Sequence, residues 1–302
     1  MGIPFDAVTG ALKVLPSAKK DVDVPVRVAV FVEAGAPAGL IGLVREAFVP
    51  QTTSGLVRVE RIGEGPVQVK GDTDLSIVIA AGTPRLQSAV QEIVIGGAPC
   101  AVIAEDAAAA PFITEDTPVL GLIAGADPER MKAALAHWII ERVDKQAAFA
   151  ANFPILRVAA ASGVITQAAL GNALTGALVF IPGADFPVMT LAQLGMMAQL
   201  ALIFGKPIRP ERGYEAAGVV AAALLMRAAV RQLAHRAGPA AFAVKALAGG
   251  AGTYAMGWAL TALYRGDVDY TRANEAVASA VRLGRSALAS VAGGRGRAQV
   301  GA

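Results

Sequence analysis

The sequence predicts an α/β domain followed by an all-helical, hydrophobic domain, and three observations carry that prediction. Short β-branched runs alternate with helix-length stretches over the first half, which is the pattern of a mainly parallel sheet wrapped by helices. Long uncharged segments fill the second half: between Arg157 and Lys206 the only charged side chain is Asp185. The charge also splits near the middle of the chain. Residues 1–150 hold 13 Lys+Arg against 18 Asp+Glu and residues 151–302 hold 14 against 6, so the formal +3 divides into −5 and +8.

These bulk values bound the classes of function. A chain of 302 residues suits two domains of ordinary size. The apolar fraction of 55% and mean hydropathy of +0.53 are high for a soluble protein. Much of that is alanine, which, like the 33 glycines outside this fraction, gains little by entering lipid, so hydropathy alone does not decide the solvent. An apolar half with excess Arg and Lys suits an anionic membrane surface, where each basic residue near the headgroups contributes about 1 kcal/mol. Nucleic acid is not expected as a partner, because aromatics make up 5% of the chain and do not interleave with the basic residues. Cys100, the lone cysteine, sits in an apolar run that reads as a buried strand and leaves no disulfide or zinc framework within the chain. Residues 1–25 lack a basic segment followed by an apolar core, so no secretory signal is expected. The expected location is the inner face of the cytoplasmic membrane, with the cytoplasm as the alternative.

Taken in order, residues 1–25 read as an irregular arm and residues 26–150 as the α/β domain. Residues 26–32 form a strand covered on both faces; Glu33-Ala34-Gly35-Ala36-Pro37-Ala38-Gly39 is a glycine-rich turn, and residues 40–48 are helical. Residues 56–70 resemble a polar hairpin. Residues 74–81 are a strongly apolar strand, after which Thr83-Pro84 opens a helix to Ile95, with Thr as cap and Pro in the first turn. Residues 99–104 and 117–123 are two more buried strands, and Asp127-Pro128-Glu129 caps a helix running to about Lys145. Asn152 to Pro154 marks the boundary. Residues 151–292 are the helical domain: a hairpin of residues 157–180 and 188–204 around Ile181-Pro182-Gly183-Ala184-Asp185-Phe186-Pro187, then helices over residues 211–236, 240–264 and 271–292. Residues 293–302, rich in Gly and Arg, read as a disordered tail.

On the first hairpin helix Leu170, Leu174, Leu178 and Ile181 share one side, with Ala161, Ala168, Asn172 and Thr175 roughly opposite. The small side lets another backbone approach, and the leucine stripe needs lipid or core. Gln193 lies among Met196, Met197 and Leu200, so its amide needs a partner; Asn172 or Asp185 could supply one. Arg227, Arg231 and His235 recur every four residues and form a basic helix face, either solvated or set against phospholipid headgroups or an acidic partner. Tyr254, Trp258 and Tyr264 lie toward one helix end, where such rings rest at a headgroup layer or fill a core. The segments approach the roughly 20 apolar residues that span a bilayer, but their amides and the short turn at Asp185 favour a helical domain inserted in, or lying against, the inner leaflet.

Several of these motifs resemble those of the bacterial domain-of-unknown-function family 697. They are Asn152-Phe153-Pro154 with Arg157, Gln167-Ala168-Ala169-Leu170-Gly171-Asn172-Ala173, the turn around Asp185, then Gln193, Met196, Met197, Gly205, Arg212 and Glu215. The resemblance covers residues 152–264. It implies a membrane-associated helical module that often follows a small Era-like GTPase domain, and it marks Asn172, Asp185, Gln193, Arg212 and Glu215 as the polar residues that matter. Their expected role is to hold the helical domain together through buried hydrogen bonds, with a ligand role left open.

That resemblance prompts a comparison of the first half with small Ras-like, P-loop-type domains, whose strand and helix order it shares. A P-loop needs backbone N–H groups for the phosphates, a lysine for the outer phosphates and a hydroxyl for magnesium. With Gly35 and Gly39 as the glycines, Leu40 stands where the lysine belongs and Ile41 where the hydroxyl belongs. Ala80-Ala81 replaces the magnesium-associated Asp, and Ala104-Glu105-Asp106-Ala107 replaces the guanine-reading segment. The expectation is a degenerate, pseudo-GTPase domain with no cofactor, or an unrelated α/β domain of similar order. No metal-ligand spacing, nucleophile elbow or carboxylate pair appears, and His137 has no partner at ligand spacing. The chain is therefore expected to be a non-enzymatic, membrane-associated scaffold or regulatory protein. A nucleotide switch lacking the usual lysine and a soluble partner-binding helical module are the alternatives.

Overall fold

A computed structural model describes residues 21–178, 185–206, 218–219, 221–222 and 241–266. Five strands, β1 (Val26–Val32), β2 (Gly55–Arg61), β3 (Leu75–Ile79), β4 (Cys100–Ala104) and β5 (Leu120–Ala124), form one sheet in the order β2-β1-β3-β4-β5. Every adjacent pair is parallel. Helices α1 (Ala38–Ala47) and α2 (Leu86–Ile95) connect β1 to β2 and β3 to β4, and α3 (Pro128–Arg142) follows β5. Short α4 (Gln146–Asn152) then leads into α5 (Arg157–Leu178), α6 (Asp185–Ile203) and α7 (Ala241–Arg265).

Strand alternation sorts the side chains onto two faces. Val26, Val28 and Val30 of β1 join Leu75, Ile77 and Ile79 of β3 in one core, covered by α1 and α3. Ala29 and Phe31 join Val78, Cys100 and Val102 in the other, under α2. The helices present matching stripes: Leu40, Leu43, Val44 and Ala47 on α1, and Leu86, Ala89, Val90 and Ile93 on α2, are buried at the i, i+3, i+4, i+7 spacing of one helical face. Burial pushes the Cys100 thiol up to about 12, as expected of a core cysteine deprived of water.

Two local expectations are corrected. Residues 56–70 do not fold back as a hairpin. Residues 55–61 form an edge strand parallel to β1, and Gly63, Gly65 and Pro66 then take the chain away from the sheet. Val67 and Val69 pack onto the α2 face instead, where the Val67 N–H donates to Glu92 at 2.7 Å. Thr83 does not cap α2, which starts at Leu86 with no side-chain cap; its hydroxyl is engaged by Glu33. Asp127 caps α3 as expected, accepting from the N–H groups of Glu129 and Arg130, with Pro128 in the first turn.

The helical half joins the sheet at the amino ends of the strands. Lys145 Nζ reaches Asp74 at 2.7 Å and the Pro25 carbonyl at 3.0 Å, while the other Asp74 oxygen accepts the Arg27 N–H. Asn152 is wholly buried there. Its amide donates to Ala148 O and Ser54 Oγ, and its side-chain oxygen accepts from Thr52 at 2.7 Å. The core under α1 and α3 runs on through Phe149, Phe153 and Leu156 to Ile165, Leu200, Phe204 and Tyr264. It is therefore continuous across the junction at residues 150 and 151.

Candidate functional site

In a parallel sheet of this order, the connections leaving β1 and β3 depart to opposite sides, and the crevice between their carboxyl ends is where such folds take ligands. The loop after β1 carries Glu33, Gly35 and Pro37. The loop after β3 carries Ala81, Gly82 and Thr83.

The first loop has few of the features of a phosphate cradle. Gly35 has φ +81°, and a Cβ there would meet only Ala81 Cβ, at 3.9 Å, among the described residues, but the Ala36 N–H is turned back onto the Glu33 carbonyl at 3.1 Å, and Pro37 has no N–H to offer. Gly39 lies in the first turn of α1. Leu40, in the lysine position, points into the core at 5% exposure, and Ile41, in the hydroxyl position, is exposed. A lysine at position 40 would have to leave the core to reach a phosphate.

The second loop holds the anion-binding geometry that the first lacks. The N–H groups of Ala81, Gly82 and Thr83 all donate to the Glu33 carboxylate, at 3.0 Å for Gly82 and 3.1 Å for Thr83, and the Thr83 hydroxyl donates as well. Successive N–H groups converging in this way form a nest, a concavity suited to an anion. Gly82 makes the turn with φ +82°, a conformation that strains any residue bearing a Cβ. Glu33 is 3% exposed and has no ion pair among the described residues. The sequence places Glu33 in the glycine-rich turn without assigning it a role. A carboxylate directly after a buried strand, with no basic residue near it in sequence, was the available signal.

A second polar group lies between α5, α6 and α7. Asn172 Nδ2 donates to Thr253 Oγ1 at 2.8 Å and to the Met189 carbonyl at 3.3 Å, and Gln193 Nε2 donates to the same Thr253 oxygen at 3.0 Å. All three side chains are buried. Thr253, which sequence reasoning did not single out, is therefore the partner of Gln193; Asn172 reaches Gln193 only through it. Its signal was a hydroxyl four residues after Gly249 and four before Gly257, on the small face of its helix. Among the described residues, Gln193 Oε1 and Thr190 Oγ1 are buried without a hydrogen-bond partner.

The helices meet closely here. A Cβ on Gly176 would lie 2.7 Å from the Lys245 carbonyl oxygen, and one on Gly249 would lie 2.8 Å from that of Asn172. The small side of α5 is thus the buried one. Leu170 and Leu174 are each 61% exposed. Asp185 is the first residue of α6. Arg212, Glu215, Arg227, Arg231 and His235 lie outside the described residues, as do Ile181 and the expected tail. Of the ring residues, Tyr264 is buried against Phe204 and Trp258 packs on the core, while Tyr254 is exposed.

Among the described residues no group of three or more His, Cys, Asp or Glu side chains could hold a metal ion. His137 is exposed on α3, beside a cleft of about 520 Å³ shared with Glu46, Lys132 and Arg265. No protein-family model, curated protein or solved structure matches the chain.

Proposed function

We propose that the chain is a non-enzymatic scaffold or regulatory protein held at the inner face of the cytoplasmic membrane by its helical half. In this reading the α/β half is a degenerate relative of Ras-like P-loop domains that serves as an interaction surface, and the helical half belongs with family 697. The observation that carries the reading is where the exposed apolar side chains fall. Contacts of Gly176 with Lys245, Asn172 with Met189 and Phe204 with Tyr264 fix which ends of the three helices lie together. Toward the sheet, Ile165, Leu200, Ile203, Phe204 and Tyr264 are buried. Away from it, Leu170, Leu174, Val188, Phe242 and Leu247 are each more than half exposed. Side chains of this kind on neighbouring helices gain free energy by entering a headgroup and acyl boundary, and the +8 charge of this half favours an anionic leaflet.

The helical stretch Pro154–Ala177 is also long and apolar enough to cross a membrane. Its amino end is tied into the core shared with the sheet, which favours shallow insertion of the far end over a full crossing. The nucleotide-switch alternative is disfavoured by Pro37, by the inward Leu40 and by the carboxylate already seated in the crevice. Flotation of the intact chain with vesicles tests the proposal. The protein is expected to rise with vesicles containing phosphatidylglycerol, and the double substitution Leu170→Gln, Leu174→Gln is expected to weaken binding by about tenfold or more. A monomer that stays at the bottom of the gradient with every lipid contradicts it and favours the soluble partner-binding alternative.

A further inference from the structure

The switch-point crevice is built to receive an anion, and the anion present is part of the chain. We propose that Glu33 is an internal ligand: its carboxylate takes the place that a phosphate or carboxylate group of an exogenous ligand would take, closing the crevice and fixing the loops after β1 and β3 against each other. This deepens the preceding reading, and rests on it in holding that the α/β half does not use a nucleotide.

Three features lead to the assignment. The donors are consecutive backbone N–H groups supplemented by a hydroxyl, the same types of donor that cradle phosphates. Both carboxylate oxygens are used: Oε2 accepts from Ala81 and Gly82, and Oε1 accepts from the N–H and hydroxyl of Thr83. The location is the one at which doubly wound sheets bind ligands, yet the occupant arises from the end of β1, where its backbone is held by the Glu33 N–H bond to the Ile79 carbonyl at 3.1 Å. A phosphate entering the nest would have to displace a carboxylate that is 3% exposed and cannot diffuse away.

Truncating the side chain should leave an empty anion site that a small free carboxylate can fill. The test compares wild type, Glu33→Ala and Glu33→Gln in the full-length chain, with formate and acetate as probes. Melting temperature and the amide resonances of Ala81, Gly82 and Thr83 are the readouts. Glu33→Ala is expected to melt lower by roughly 5 °C or more, and to recover part of that loss with acetate or formate but not with chloride at equal ionic strength. The three amides should shift on addition of the carboxylate, while the wild type does not respond. Glu33→Gln keeps the shape but turns an N–H₂ group toward N–H donors; it is expected to fold, to melt below wild type and to ignore acetate because the space stays filled. Equal stability of Glu33→Gln and wild type, or absence of rescue in Glu33→Ala, overturns the assignment. Should Glu33→Ala fail to fold, the Gln comparison decides the matter alone. Rescue in a protein that ignores vesicles supports the internal ligand while failing the membrane reading, so the two failures are distinguishable. A wild type that binds GTP at these three amides overturns both the internal ligand and the nucleotide-free reading.

Discussion

At the scale of single residues, the chain places its buried polar groups where one side chain satisfies several others. Asn152 ties α4 to the loop before β2 at the amino edge of the sheet through three hydrogen bonds, and Thr253 accepts from two amides on two different helices. Replacing Thr253 with valine keeps the shape and removes the shared acceptor, leaving the Gln193 N–H₂ group without a partner and Asn172 with only the longer bond to Met189. A buried unsatisfied donor costs about 1 to 3 kcal/mol. Thr253→Val is therefore expected to lose about 2 to 4 kcal/mol in urea unfolding followed by tryptophan fluorescence, and Thr253→Ser, which retains the hydroxyl, less than about 1 kcal/mol. Equal stabilities for the two variants would show that the hydroxyl does not hold these helices together. The sequence marks Asn172 and Gln193 as residues needing partners, because an amide in an uncharged run must be satisfied. It does not reveal Thr253, since the register between α5 and α7 depends on tertiary packing.

Element-scale structure was legible where one physical signal dominated. Buried strands such as β1, β3 and β4 announce themselves as short β-branched or apolar runs, and Asp127-Pro128 announces the start of α3. The misread hairpin at residues 56–70 shows the limit: the alternation of Val57 and Val59 is that of an edge strand, and alternation does not say whether the neighbour is parallel. Thr83 has the composition of a cap, but a stronger acceptor, Glu33, lies across the crevice and captures its hydroxyl. The small side of α5 implies close approach of another backbone without saying whose; the structure supplies α7, and the tolerance of that contact can be measured. Gly176→Ala would drive a methyl into the Lys245 backbone and is expected to cost about 1 to 3 kcal/mol. Gly171→Ala, with no described residue within 4 Å of the new Cβ, is expected to be neutral or to stabilise by up to about 1 kcal/mol through helix propensity. Chemical denaturation of the two variants reads this difference, and a Gly176→Ala protein as stable as Gly171→Ala contradicts the close approach.

For the whole molecule, the arrangement is polar from end to end. The carboxyl edge of the sheet, with its self-occupied crevice, lies at one end; the amino edge is locked to the helices by Lys145 and Asn152; and the helices carry their exposed apolar side chains beyond that junction. The charge division of the sequence anticipated two unlike halves, while the core that runs unbroken from Val26 through Phe153 to Tyr264 was not visible in it. That continuity matters for function, because a rigid junction would hold the α/β surface at a fixed orientation to whatever the helices enter. Entry of the far end of α5 to α7 into lipid is read by the depth of two spin labels. Nitroxide labels are placed at Leu174→Cys, far along α5, and at Ile95→Cys, 84% exposed at the end of α2; the native Cys100 is buried. On vesicles containing phosphatidylglycerol, the label at position 174 should become accessible to oxygen and shielded from a water-soluble nickel complex, while that at position 95 stays open to nickel. Equal exposure of both labels to nickel in the presence of vesicles would contradict the account.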